Sequence, residues 1–150
     1  MREAISTAVK KSKSLAEVRE SLFDVFADFR KQGFDRIGYV SGMVTSGGKE
    51  NIPKNIERLT KFTDHVRALY IFPVFSATDV FDDVLFVRLS AAGFKNEDWV
   101  VFWREVLGAK AKYVTDIFMT PKWEESRGAA DEHKTAKKMK ITINYIEYEL

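Results

Sequence analysis

Tyr113-Val114-Thr115-Asp116-Ile117-Phe118-Met119, then Thr120-Pro121-Lys122-Trp123-Glu124-Glu125, then Ser126-Arg127-Gly128-Ala129-Ala130-Asp131-Glu132-His133, is the stretch on which the fold class turns. The first seven residues are β-branched, aromatic and apolar around a single Asp, which reads as a strand. Proline and charged residues follow as a loop. Ser126 then stands where a helix cap is expected, and the helix runs to about Lys138. Ile141 to Tyr145 makes another strand. A strand, a helix and a second strand in this order form a crossover unit, which requires parallel pairing.

The same alternation extends toward the N-terminus. Ser14 to Lys31 is helical in pattern, with Leu15, Val18, Leu22, Val25, Phe26 and Phe29 at helical spacing, Ser14 and Glu17 forming a capping box and Gly33 ending it. Arg36 to Gly42 reads as a short strand running into a small-residue turn, followed by a Gly-, Ser- and Thr-rich loop to Lys49. A helix begins near Pro53, with an apolar stripe of Ile56, Leu59, Phe62, Val66 and Leu69. Ala68 to Phe75 is nearly continuous in apolar residues and predicts a buried strand ending at Pro73, because proline has no N–H for a central ladder. Ala77 to Ala92 fits a helix, although Val84 to Leu89 also fits a strand. Asn96 to Leu107 is a helix stopped by Gly108. The expected fold is α/β, with a parallel sheet of four to five strands flanked by helices and an additional N-terminal helix. In such sheets ligands bind beyond the carboxyl ends of the strands. That selects Ser41 to Gly48, Pro73 to Asp79 and Thr120 to Glu132.

Composition narrows the function classes. A length of 150 residues fits one domain that buries its own core. With no cysteine, disulfides, Cys-based zinc sites and thiol nucleophiles are excluded, and two His do not suggest a His-rich metal site. Neither a metal nor an organic cofactor is expected. The 24 basic and 22 acidic residues leave a net charge of +2, too small a field to imply nucleic-acid binding. The local excess at Lys134, Lys137, Lys138 and Lys140 reads as a solvated helix face and its exit. No apolar run is long enough to span a bilayer, and the N-terminus lacks a secretory h-region, so a cytoplasmic location without membrane partners is expected. Dinucleotide, P-loop and nucleophile-elbow motifs are absent.

Glu132 is the leading candidate for chemistry. It shares a helical stripe with Ala129, Ala136 and Met139 and has no cation among its helical neighbours, so it faces inward at the ligand end of the sheet. A hydrogen bond to a backbone group, or to His133 of another subunit, is the structural alternative. Ser126 can cap the helix, and Gly128 lets a ligand or backbone approach closely. The first-turn N–H groups suit an anionic or hydroxylated ligand. Trp123 can stack on a flat ring or lie as a lid over the sheet edge. Asp116, inside an apolar strand, needs a hydrogen-bond partner and is expected to be architectural near the site. Asp98 or Glu105 can supply a second carboxylate.

Three segments resemble the nucleoside 2-deoxyribosyltransferase-like family, especially its small phage- and bacteria-associated members of unassigned function. They are Ile37-Gly38-Tyr39-Val40-Ser41-Gly42-Met43, the Asn55 to Val66 helix with the strand through Phe72-Pro73, and Thr115 to Met119 leading to Trp123 through His133. The third is the most specific. The resemblance covers about Arg36 to Ile146, which divides the chain into an N-terminal helical extension (1–35) and an α/β domain (36–150). It implies a Rossmann-like, flavodoxin-like sheet and cleavage or exchange at the N-glycosidic bond of a nucleoside or nucleoside monophosphate. By the resemblance Glu132 is the nucleophile, with Asp98 or Glu105 assisting. Ser41, Gly42 and Met43 would line the sugar and base pocket, with Asp116 and Trp123 nearby, and Ser126 and Gly128 would lie near the sugar hydroxyls or a 5′-phosphate. A non-catalytic nucleotide-binding or phage accessory protein is the alternative. A homo-oligomer is also implied, with Phe23, Phe26 and Phe29 as the expected interface.

Overall fold

The computed structural model describes residues 1–150. Four short strands, β1 (Gly38–Ser41), β2 (Val74–Ser76), β3 (Asp116–Met119) and β4 (Thr142–Tyr145), form one sheet in the order β2-β1-β3-β4. Every pairing is parallel, and Gly38 lies level with both Val74 and Asp116. The chain leaves β1 for β2 on one side and returns to β3 on the other, so the crevice between β1 and β3 is the switch point at which sheets of this order bind ligands.

Seven helices surround the sheet: α1 (Arg2–Val9), α2 (Leu15–Lys31), α3 (Ile52–Leu69), α4 (Ala77–Val80), α5 (Asp83–Ala91), α6 (Asn96–Leu107) and α7 (Arg127–Met139). The pleat of the strands divides the core in two. Val40, Val74 and Phe118 pack with Leu59, Phe62 and Val66 of α3 on one face. Tyr39, Phe75, Ile117 and Met119 face the other way, toward α2, α6 and α7. This is the α/β fold with a Rossmann-like parallel sheet, covered by helices on both faces.

Two expectations change, and one open alternative resolves. The apolar run Ala68 to Phe75 is not a strand ending at Pro73. Helix α3 continues to Leu69, Ile71 is 98% exposed, and β2 begins only after the proline. Pro73 needs no N–H as the residue entering a strand, and its carbonyl accepts from Gly38 N at 2.8 Å. Ala77 to Ala92 holds two helices, α4 and α5, and no strand, with the Asp82 side chain capping α5 through Leu85 N at 2.7 Å. At the N-terminus there are two helices rather than one, and both join the main core through Ile5, Val9, Leu15, Val18, Leu22 and Phe26.

The aromatic face of α2 is likewise used within the chain. Phe26 packs on Phe75 with ring centroids 5.1 Å apart, and Phe23 on Tyr113 at 5.5 Å. Phe26 is thereby committed to the core, whereas Phe23 and Phe29 are only half-buried. No helix is long and apolar enough to cross a membrane.

Candidate functional site

Strand alternation and helix periodicity together bring Glu132 to the switch point. Tyr39 and Ser41 sit two residues apart on β1 and so share the face turned toward α7. On that helix Ala129, Glu132, Thr135 and Ala136 are buried, at the spacing of one inward stripe. Ala129 and Ala136 have side chains small enough to seat α7 close to the sheet. The helix start is held by Ser126, whose Oγ accepts from Ala129 N at 3.2 Å. The result is a buried hydrogen bond in which Ser41 Oγ donates to Glu132 Oε1 at 3.0 Å.

Glu132 is only 6% exposed. Burial disfavours its charged form and raises its pKa from 4.5 to about 7; the hydroxyls of Tyr39 and Ser41 pull the other way, and nearby Asp131 adds a small upward push. The phenol of Tyr39 is itself held well above its ordinary range, first by burial and then by the Glu132 charge. No lysine or arginine neutralises the carboxylate. A carboxyl group poised near pH 7 can accept a proton, donate one, or attack an electrophilic carbon when ionised.

A cavity of about 470 Å³ opens over this group. One wall is aromatic, with Phe81, Trp99 and Trp103 beside Tyr39. The opposite wall is the loop after β1, contributing Val44, Thr45, Ser46 and Gly47, while Ser126 and Gly128 border the carboxylate. Asn55 at the start of α3 holds that loop: its amide donates to Val44 O at 3.0 Å and to Ser46 O at 2.9 Å. Gly42 lies where the chain leaves β1 against Thr120. A Cβ there would fall 2.5 Å from Thr120 Oγ1, which donates to Ser41 O at 2.9 Å, so a side chain would displace the strand end carrying Ser41.

The expected site residues divide into two groups. Ser41, Gly42, Ser126, Gly128 and Glu132 converge at the cavity. Met43 follows Gly42 but does not line it. Trp123 stacks on His133 at a centroid distance of 4.0 Å, on the side of α7 away from the cavity, as a cover over the sheet edge. Asp116 begins β3, at the end of the sheet opposite the site. Its carboxylate is held by Arg36 at 2.8 and 3.2 Å and by Thr115 Oγ1 at 2.6 Å.

Asp98 is exposed and accepts from Lys95 N at 2.7 Å, closing the first turn of α6. Glu105 pairs with Arg19 of α2. Neither reaches Glu132. The residues that sequence reasoning missed are Tyr39, Phe81, Trp99, Trp103 and Asn55. Tyr39 carried a usable signal, since it shares strand parity with Ser41.

The fold and the cavity define a parallel α/β protein with a buried carboxylate at its switch point. Comparison with protein-family models, curated proteins and solved structures finds no match to this chain.

Proposed function

We propose that this protein cleaves or exchanges the base of a nucleoside or nucleoside monophosphate, with Glu132 as the nucleophile. The observation that carries the reading is the Glu132 carboxylate, buried, hydrogen-bonded to Ser41 and facing an aromatic-walled cavity at the sheet's switch point. The resemblance of Ile37 to Met43 and of Thr115 to His133 to the nucleoside 2-deoxyribosyltransferase-like family supports the same chemistry. Flat rings suit the Trp and Phe wall, and hydroxyls suit the polar groups around Ser126.

In the proposed reaction a Glu132 oxygen attacks the anomeric carbon as the bond to the base breaks; the electron pair leaves with the base, which takes up a proton from solvent, and a glycosyl ester forms. Water or a second base then displaces the carboxylate from the same carbon. Ser41 stabilises the ionised form beforehand and holds the oxygen that does not attack. Only ionised Glu132 is nucleophilic, so single-turnover base release rises with pH through about 7.

The test is a base-release assay over deoxynucleosides and their monophosphates with wild type, Glu132→Ala and Ser41→Ala. Wild-type release that vanishes in Glu132→Ala supports the reading, and Ser41→Ala should move the pH midpoint upward. Undiminished release by Glu132→Ala would sink it. A non-catalytic nucleotide-binding protein is the second reading, favoured by the placement of Asp98 and Glu105 outside the cavity. It expects saturable nucleotide binding without release.

A further inference from the structure

Building on the N-glycosidase reading, we propose that the cavity selects a phosphate-free nucleoside whose leaving ring carries a positive charge, such as a pyridinium or N-alkylated purinium. Three independent features of the cavity point to this class.

The first is charge. Asp83, Glu125 and Glu132 are the acids on the cavity wall and Arg127 is the sole cation. Arg127 is largely exposed and already paired with Glu97. No lysine lines the space, and the exposed Lys134, Lys137 and Lys138 lie on the far side of α7. A phosphate dianion would meet only the first-turn N–H groups of α7 against three carboxylates, with no unpaired basic side chain, whereas a cation is attracted by the acids.

The second is the aromatic wall. Trp99 packs beside Phe81 and Phe86, with centroids 6.0 and 5.4 Å away, and all three line the cavity together with Asp83. Aromatic rings attract cations through their quadrupoles, modestly at exposed sites. A neutral base would gain stacking alone.

The third is the missing acid. An ordinary base leaves as an anion unless a positioned acid protonates it. The acids expected to do this, Asp98 and Glu105, are committed to a helix turn and to Arg19. Asp83 and Glu125 are exposed at the rim, and Glu132 is engaged with Ser41. A ring that is already cationic needs no such acid.

In the step itself, a Glu132 oxygen bonds to the anomeric carbon and the carbon–nitrogen bond breaks. Its electron pair passes to the ring nitrogen, so the base departs neutral. Water then bonds to the same carbon, Glu132 is released as carboxylate, and one proton goes to solvent. A cation seated beside Glu132 also favours its ionised form, so the substrate helps to charge its own nucleophile.

The experiment measures base release and Trp-fluorescence binding with the full chain. The probes are 1-(2-deoxyribosyl)nicotinamide and 1-ribosylnicotinamide, the 5′-monophosphate of the latter, and uncharged 2′-deoxyinosine and inosine, all with enzyme-free blanks. The expected result is kcat/KM at least about tenfold higher for the cationic nucleosides than for the uncharged ones. The monophosphate should be a poorer substrate than its nucleoside. Asp83→Asn with Glu125→Gln, both at exposed positions, should narrow the preference. Equal or better use of the uncharged nucleosides, or of the monophosphate, overturns the charge assignment and leaves the N-glycosidase reading standing. If no probe shows Glu132-dependent release, that reading is the one that fails. The titrations still decide the charge assignment, because equal affinity for charged and uncharged probes overturns it and tighter binding of the cations upholds it.

Discussion

Glu132 and Ser41 are 91 positions apart in the chain and 3.0 Å apart in space, and the properties of the site follow from that meeting. In the unfolded chain Glu132 loses its proton near 4.5, whereas in the fold it holds it to about 7. Between these values the folded state carries more protons than the unfolded one. Stability therefore falls as pH rises through this window and levels off above it, by about 3 kcal/mol in all. Glu132→Gln keeps the shape and cannot ionise. The variant should lose this pH dependence and be more stable than wild type above pH 7 by up to that amount. Urea denaturation from pH 4.5 to 8.5 measures it; parallel curves for the two proteins would mean that burial does not control this carboxylate.

At the scale of elements, α7 serves both as part of the core and as a wall of the site. The inward placing of Ala129, Glu132 and Ala136 was legible from helical spacing, as was the Ser126 cap; Met139, expected on the same stripe, is only half-buried, and Thr135 takes the buried place instead. Gly128 tests the division of labour. A Cβ there would lie 3.8 Å from Glu132 Oε2 and 4.0 Å from Ser126 Oγ, ordinary contacts that strain nothing. Gly128→Ala should therefore keep or slightly raise stability, since alanine is the better helix former by about 1 kcal/mol. The added methyl narrows access to the carboxylate, so base release should fall severalfold. A thermal melt and the release assay on the same sample separate the two effects. Unchanged release would place the reacting carbon elsewhere in the cavity. The strand β2 was misplaced: the apolar run was read as a strand ending at Pro73, whereas Leu69 ends a helix, Ile71 and Phe72 form a bend and the strand follows the proline. A short apolar run satisfies helix and strand templates equally, and Pro73 marks a boundary without saying on which side the strand lies.

At the scale of the whole molecule, the N-terminal helices are tied to the ligand end of the sheet. Ile5 and Val9 of α1 belong to the same core as Tyr39 and Trp103. Arg2 and Arg67 both bond Asp79, which also accepts from Ser76 N at 2.9 Å where β2 ends. That joins α1 and α3 to the turn carrying Ala77 and Thr78 on the cavity wall. Ile5 is fully buried. Ile5→Ala should thus cost about 2–5 kcal/mol of global stability, as core truncations do. Chemical denaturation monitored by tryptophan fluorescence should show one cooperative transition, shifted to lower denaturant. A separate early transition would mean that residues 1–35 fold as an independent extension.

The sequence by itself determined the alternation of helices and strands, and hence the parallel sheet. It also determined the inward stripe on α7 and the identity of Glu132 as its one buried acid. These are properties of local spacing, and a few consecutive residues decide which side of an element meets the core. Tertiary structure alone decided what Glu132 touches, which rings wall the cavity and which acids stand outside it. Asp116 illustrates why: its burial was legible, but its partner Arg36 lies 80 positions away, and strand polarity puts the pair at the end of the sheet opposite the site. Asp98 could not be separated from a site acid by spacing, because a carboxylate that closes a helix turn and one that faces a cavity occupy the same kind of position in the chain. Strand order and helix docking distinguish them, and both are set by contacts between residues remote in sequence.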